Sequence, residues 1–145
     1  MAKLTRKKTI LVKTEGSSYG QDASPTGGAN AILVRDIELT PLESDTVDRE
    51  LIKSYFGNFE TLLANQRAMV SFTCELVGSG AAGTSPAYGP ALEACAMAVT
   101  TASGTSNTYA PISDASSMKS VTIYCNYDGV NHAITGARGT FTINC

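Results

Sequence analysis

The chain has 145 residues, enough for one domain that folds without a structural disulfide or metal. Hydrophobic residues make up 43% and charged ones only 17%, the balance being small and uncharged, a composition that protects poorly against association and suits a chain packed against neighbours, or a secreted β-domain. The net charge of −2 excludes a global basic field for holding nucleic acid, and no apolar run approaches the roughly 20 residues of a membrane-spanning helix.

Residues 1–8 read as a flexible basic arm. The apolar run behind them, Ile10-Leu11-Val12, is too short for a signal-peptide core, so folding in a reducing cytoplasm is expected. Thr9 to Thr14 reads as the first strand, and the Gly- and Ser-rich stretch from Gly16 to Gly28 as a loop. Asn30 to Thr40 predicts a strand bent near Arg35-Asp36. Pro41 to Gln66 has neither a period of 2 nor one of 3.6, yet holds Leu51, Ile52, Tyr55, Phe56, Phe59, Leu62 and Leu63. A long loop burying those side chains against something outside the domain fits both facts.

Arg67 to Val77 alternates cleanly, with Val70, Phe72, Cys74 and Leu76 on one face. After the turn Gly78 to Gly83, Ser85-Pro86 predicts a helix start, and the helix runs to about Thr100 with Leu92, Cys95, Ala96 and Val99 buried. Gly89-Pro90 interrupts its first turn. A polar loop, Ala102 to Thr108, and a short edge strand, Tyr109 to Ile112, follow. Lys119 to Tyr127 and Val130 to Thr135 form a hairpin about Asp128-Gly129, and Thr140 to Cys145 is the last strand. The fold class is therefore mainly β (α+β), two packed antiparallel sheets in a sandwich or barrel with one flanking helix at about 86–100.

Cys74, Cys125 and Cys145 each alternate with apolar residues, which points to buried reduced thiols, with a disulfide open where two faces converge. No CxxC spacing and a single histidine exclude the usual zinc frameworks. Gly78-Ser79-Gly80-Ala81-Ala82-Gly83 matches G-x-G-x-x-G between a strand and a helix. However, no second parallel strand leads to an acidic residue about 20 positions on, so a flexible connection is the better reading. His132 with Cys125 or a serine would make a nucleophile–base pair, but a lone His beside a turn is ordinarily structural. No catalytic, cofactor or metal residues are assigned.

Charge is segregated. Lys3, Arg6, Lys7, Lys8 and Lys13 open the chain, and Asp36, Glu38, Glu43, Asp45, Asp48 and Glu50 cluster between 36 and 50. Each stretch reads as a solvated patch in a monomer. In a chain that self-assembles the two are suited to meet across an interface.

Lys13-Thr14-Glu15 with Tyr19-Gly20, Pro25-Thr26-Gly27 through Asn30 to Val34, Thr40 to Arg49, Gly78 to Ala87, Ala94-Cys95, and Asp128-Gly129 with His132 and Gly136 to Thr140 together resemble the bacteriophage tail tube family. The stretches span nearly the whole chain in the family's order. Family members continue past the position of Cys145, which implies a short member or a C-terminal continuation. The resemblance implies a non-enzymatic virion protein without cofactor or membrane, folded in the host cytoplasm and placed in the tail. It further implies stacked, usually hexameric rings that join other tail proteins and pass DNA, with a long loop reaching a neighbouring ring.

On that reading Asp45, Asp48, Arg49, Leu51, Ile52, Tyr55, Phe56 and Phe59 of the loop, and Arg6, Lys7 and Lys8 of the arm, are the expected intersubunit contacts. Arg49, Lys53 and Arg67 would serve salt bridges between rings. That leaves Arg35, Lys119 and Arg138, so a neutral or acidic bore is expected. A head decoration or tail-completion protein, a β-sandwich binding module, and a nucleotide-cofactor enzyme resting on 78–83 alone are the alternatives.

Overall fold

The structure, a computed structural model, describes residues 6–49 and 51–144. It is mainly β, with several antiparallel sheets and two short helices, the β-rich α+β class that the alternation implies. Its residues divide into two compact units, one of residues 1–35 and 74–145, the other of residues 36–73.

In the first unit β1 (Lys8–Thr14), β2 (Ala31–Ile32), β7 (Val121–Tyr127) and β8 (Val130–Ala137) form a four-stranded sheet ordered β2-β1-β7-β8. β1 pairs antiparallel with β7, Ile10 opposite Cys125 and Val12 opposite Ile123. Ile10, Val12, Ile32, Val121, Ile123 and Cys125 are the buried core of this sheet. Each fully buried aliphatic side chain of the β1–β7 pair contributes about 1.5–3 kcal/mol. The Asp128-Gly129 turn has φ +47 and +83, the left-handed pair that matches strand twist in a two-residue hairpin.

Helix α1 (Gly27–Asn30) is a single turn, and helix α2 (Gly89–Ala94) packs on β1 and β7. The expected helix over 86–100 is shorter at both ends. Pro90 stands in the first turn of α2 instead of interrupting it, and Tyr88, not Ser85, occupies the N-cap. Ala96 takes φ +58, which an α-helix cannot continue through. Beyond it Met97–Ala102 is strand β5, laddered antiparallel to β6 (Ser106–Pro111). The β-branched Val99, Thr100 and Thr101 suit that ladder better than a helix. The expected polar loop 102–108 is in large part this hairpin, closed by a turn at 103–105. A 3-10 turn, Ala115–Ser117, capped by Asp114, leads into β7.

The second unit corrects the expected loop 41–66. Val34–Asp48 is one long strand, β3, and Thr61–Cys74 another, β4, paired as a two-stranded sheet. The bend anticipated near Arg35-Asp36 is present, with Asp36 at φ +56. Two further expectations fail. Residues 140–144 carry the alternating Phe141 and Ile143 but join no strand ladder, and Cys145 lies outside the described residues. The arm is shorter than 1–8, because Lys8 already belongs to β1 and the Lys7 carbonyl accepts from the Asp128 N–H at 2.9 Å. Residues 1–5 lie outside the described residues.

Candidate assembly surface

Alternation makes Val70, Phe72 and Cys74 the half-buried face of β4, while most of β3 is exposed on both faces. What ties the two strands together beyond their backbone is a row of polar pairs. Arg67 Nε meets Glu43 Oε2 at 3.0 Å, and that bond raises the Arg67 pKa further. The Asn65 amide donates to Asp45 at 3.1 Å, and the Thr61 hydroxyl to Asp48 at 2.8 Å. Arg49 meets Glu60 at 3.5 Å. Asp45, Asp48, Arg49 and Arg67, expected to bridge subunits, are thus already engaged within the hairpin.

The connection between the strands is where the apolar side chains collect. Lys53 Nζ donates to the Asn58 carbonyl at 3.3 Å and lies 5.8 Å and 5.5 Å from the ring centres of Tyr55 and Phe59, which organises the tip. Around it Leu51, Ile52, Tyr55, Phe56 and Phe59 are all exposed, Ile52 and Phe56 completely. Asp48, Leu51, Ile52, Lys53, Asn58, Phe59 and Thr61 bound an open depression of about 740 Å³. Leu62 and Leu63, also picked out in the sequence, are exposed on β4, as are Leu42 and Val47 of β3 and Met69 of β4, which sequence reasoning missed. Isolated exposed hydrophobes are ordinary, whereas five exposed large apolar side chains within nine residues at one turn make a candidate contact surface.

The basic residues assigned to contacts sit at the start of β1. Arg6, Lys7 and Lys8 are all exposed, and Lys8 Nζ stands 4.9 Å from the Tyr127 ring centre. Of the remaining cations, Lys119 pairs with the buried Glu93 at 2.5 Å. The Arg138 guanidinium lies over Tyr19 and donates to the Met118 carbonyl at 3.4 Å.

A second constellation, not anticipated, is built around Glu15. Between Val121 and Ala137 at one end and Ile123 and Ile134 at the other, β8 has one residue more than β7, and Gly136 at φ +67 forms the bulge. The bulge aims the Gly136 N–H at Glu15 Oε1, 2.6 Å away. Glu15 also accepts from the Gly20 N–H at 2.8 Å, the Ser120 hydroxyl at 2.5 Å and the Thr122 hydroxyl at 3.0 Å. Burial favours the neutral acid, but these four donors outweigh it and hold the Glu15 pKa below the ordinary value. The same loop is fastened by Tyr19, which donates to the Gly136 carbonyl at 3.0 Å, and by Ala23, whose N–H meets the Thr122 hydroxyl at 3.1 Å. Tyr124 donates to Asp22, lowering the Asp22 pKa and raising that of the phenol. All these donors are neutral, and the arrangement is a latch for the 16–26 loop. The Glu15, Tyr19-Gly20 and Gly136 stretches that carry the sequence resemblance meet here.

Cys125 and His132 are ladder partners, but no hydrogen bond joins their side chains among the described residues. Burial pushes the Cys125 thiol pKa up and disfavours the thiolate, while His132 rests edge-on against Tyr127 at 5.9 Å. Cys74, Cys95 and Cys125 are free thiols. The Gly78–Gly83 stretch is a loop beside an open hollow that Asn107 also lines, and the two Asn107 amide atoms are buried without a partner among the described residues. The strand after α2 pairs antiparallel with its successor, so the parallel unit of a dinucleotide fingerprint does not follow this loop. No helix among the described residues is long and apolar enough to cross a membrane, and no His, Cys, Asp and Glu cluster among them has metal-site geometry. Comparison with protein-family models, with curated proteins and with solved structures finds no match.

Proposed function

We propose that the chain is a structural virion protein, a tail tube subunit of a bacteriophage that assembles with copies of itself into stacked rings around a channel for DNA. The hairpin tip carries this reading, because Leu51, Ile52, Tyr55, Phe56 and Phe59 are presented to solvent on a two-stranded element. A two-stranded hairpin is marginal by itself in water, and covering the tip would stabilise it. Each large apolar side chain taken from water contributes about 1.5–3 kcal/mol, enough across several copies to hold a ring stack. The tail-tube identity within the class of self-assembling proteins rests on the sequence resemblance, and the hexameric ring comes from it too.

The DNA path follows from the same reading. A bore that passes a duplex must not hold it, since each phosphate contact adds a salt-dependent attraction. Of Arg35, Lys119 and Arg138, only Arg35 has no partner among the described residues. On this reading the bore wall is expected to be neutral or acidic. Negative-stain microscopy of the purified chain tests the proposal through the presence of hollow tubes. A reconstruction of such a tube tests the bore, and an excess of Lys and Arg on its inner wall would favour a DNA-holding role instead.

A further inference from the structure

The 16–26 loop is held to the four-stranded sheet by side-chain hydrogen bonds, and two carboxylates stand at their centre. Glu15 Oε2 accepts from the Gly20 N–H in the loop and from the Ser120 hydroxyl, and Oε1 accepts from the Thr122 hydroxyl and the Gly136 N–H of the bulge. The Thr122 hydroxyl is fully buried and itself accepts from the Ala23 N–H at 3.1 Å, so its one proton is committed to Glu15. Asp22 accepts from the Tyr124 hydroxyl on Oδ2 and from the Ser24 N–H on Oδ1, the latter at 2.7 Å. Of residues 16–26 only Pro25 is buried, so little apolar contact holds the loop down. No ion pair reaches Glu15 or Asp22 among the described residues. The other titratable groups around them are Lys13 of β1, whose charge acts on Asp22, Tyr124 of β7, and Tyr19 of the loop with Arg138 over its ring. Lys119, next to Ser120, is bound to Glu93.

We propose that residues 16–26 form a strap that acid releases from the sheet as a unit, while β1, β7 and β8 stay paired. The strap is independent of the self-assembly proposed above. Every group around Glu15 is arranged to donate, so a proton on the carboxyl enters a site with no acceptor set out for it. Asp22 is in the same position toward Tyr124 and the Ser24 N–H. Burial raises the Glu15 pKa, but its hydrogen bonds outweigh that and lower it, and the Tyr124 and Ser24 bonds lower that of Asp22. Both groups therefore bind a proton more tightly once the strap is open. The closed strap is favoured above the ordinary values of 4.5 and 3.8, and that advantage is lost as pH falls through the folded values. Opening can stay local because the buried residues of β1 and β7 lie in the ladder and not in the strap. It uncovers the Thr122 and Tyr124 hydroxyls and frees both the N–H and the carbonyl of Gly136, the latter from Tyr19.

Hydrogen–deuterium exchange of the intact chain tests this, with each rate divided by that of an unstructured peptide at the same pH. At neutral pH the Gly20 and Ala23 amides should be protected. In acid their protection should fall by about tenfold or more, as the loss of a hydrogen bond to a charged group implies, while the β1–β7 ladder keeps its own. In Glu15→Gln the strap should be poorly protected at neutral pH already, with little further loss in acid. Asp22→Asn changes an exposed side chain and leaves the core untouched, and it should make the fall shallower. It decides the matter if Glu15→Gln does not fold, and circular dichroism verifies the fold of each. Strap protection that persists in acid in a folded chain would overturn the proposal. So would loss from strap and ladder at the same pH, or the parent's full pH dependence retained in either folded variant.

Discussion

Glu15 shows how a single side chain can hold a loop. Its carboxylate accepts four hydrogen bonds from neutral donors on β7, the β8 bulge and the loop itself. In Glu15→Gln an amide group faces those donors, and each buried group left unpaired costs about 1–3 kcal/mol. Urea denaturation should show a loss on the order of 3 kcal/mol at neutral pH. The folded pKa is depressed, so this stability is fully present above the unfolded value near 4.5 and is lost as pH falls through the folded value. The gap between the parent chain and Glu15→Gln should therefore shrink in acid, and a gap independent of pH would contradict the ionised latch. Glycines give a sharper contrast. Gly80 and Gly83 both have positive φ, but a Cβ at Gly80 meets nothing, whereas one at Gly83 lies 2.5 Å from the Gly104 nitrogen. Gly80→Ala should cost about 1 kcal/mol from backbone strain alone, and Gly83→Ala clearly more; equal melting temperatures for the two variants would contradict the close approach. The thiols are expected to be inert, so reductant should leave the melting temperature unchanged, and a marked fall would reveal a structural disulfide.

At the scale of elements, β1 was legible because one of its faces is buried, and burial is what writes a period of 2 into a sequence; in β7 the apolar Val121, Ile123 and Cys125 alternate, although Thr122 between them is buried as well. The Asp128-Gly129 turn was legible because its left-handed backbone demands those residues. β3 was legible only as far as Thr40, for the complementary reason: Thr40, Pro41 and Leu42 are exposed together, so nothing imposes alternation beyond it. The apolar residues of the tip could be picked out, and so could the outer half of each strand carrying them, but β3 runs on from Thr40 to Asp48 and β4 begins at Thr61 and ends at Cys74 instead of spanning Arg67 to Val77. Residues 140–144 failed the other way, with an alternating pattern and no partner strand. The Glu15 latch left only a faint trace, a carboxylate beside Gly16 with Ser120 and Thr122 distant in sequence. Replacing Leu51, Ile52, Tyr55, Phe56 and Phe59 by Ser should leave a folded chain by circular dichroism, since all five are exposed, and should abolish assembly in sedimentation. Assembly unchanged by the replacement would show that the tip is not the contact.

On the scale of the whole molecule, a charge-poor chain carries an acidic excess on one unit and a basic excess on the other, and five exposed large apolar side chains at the end of a hairpin. On the proposed function, packing against further copies would cover the exposed apolar side chains of the tip. The most direct measurement is electron microscopy of the purified chain over rising concentration, with sedimentation on the same samples. Hollow tubes of uniform diameter with an axial ring repeat are the predicted result, and a species that stays monomeric at every concentration, with no tubes in the images, would contradict the account.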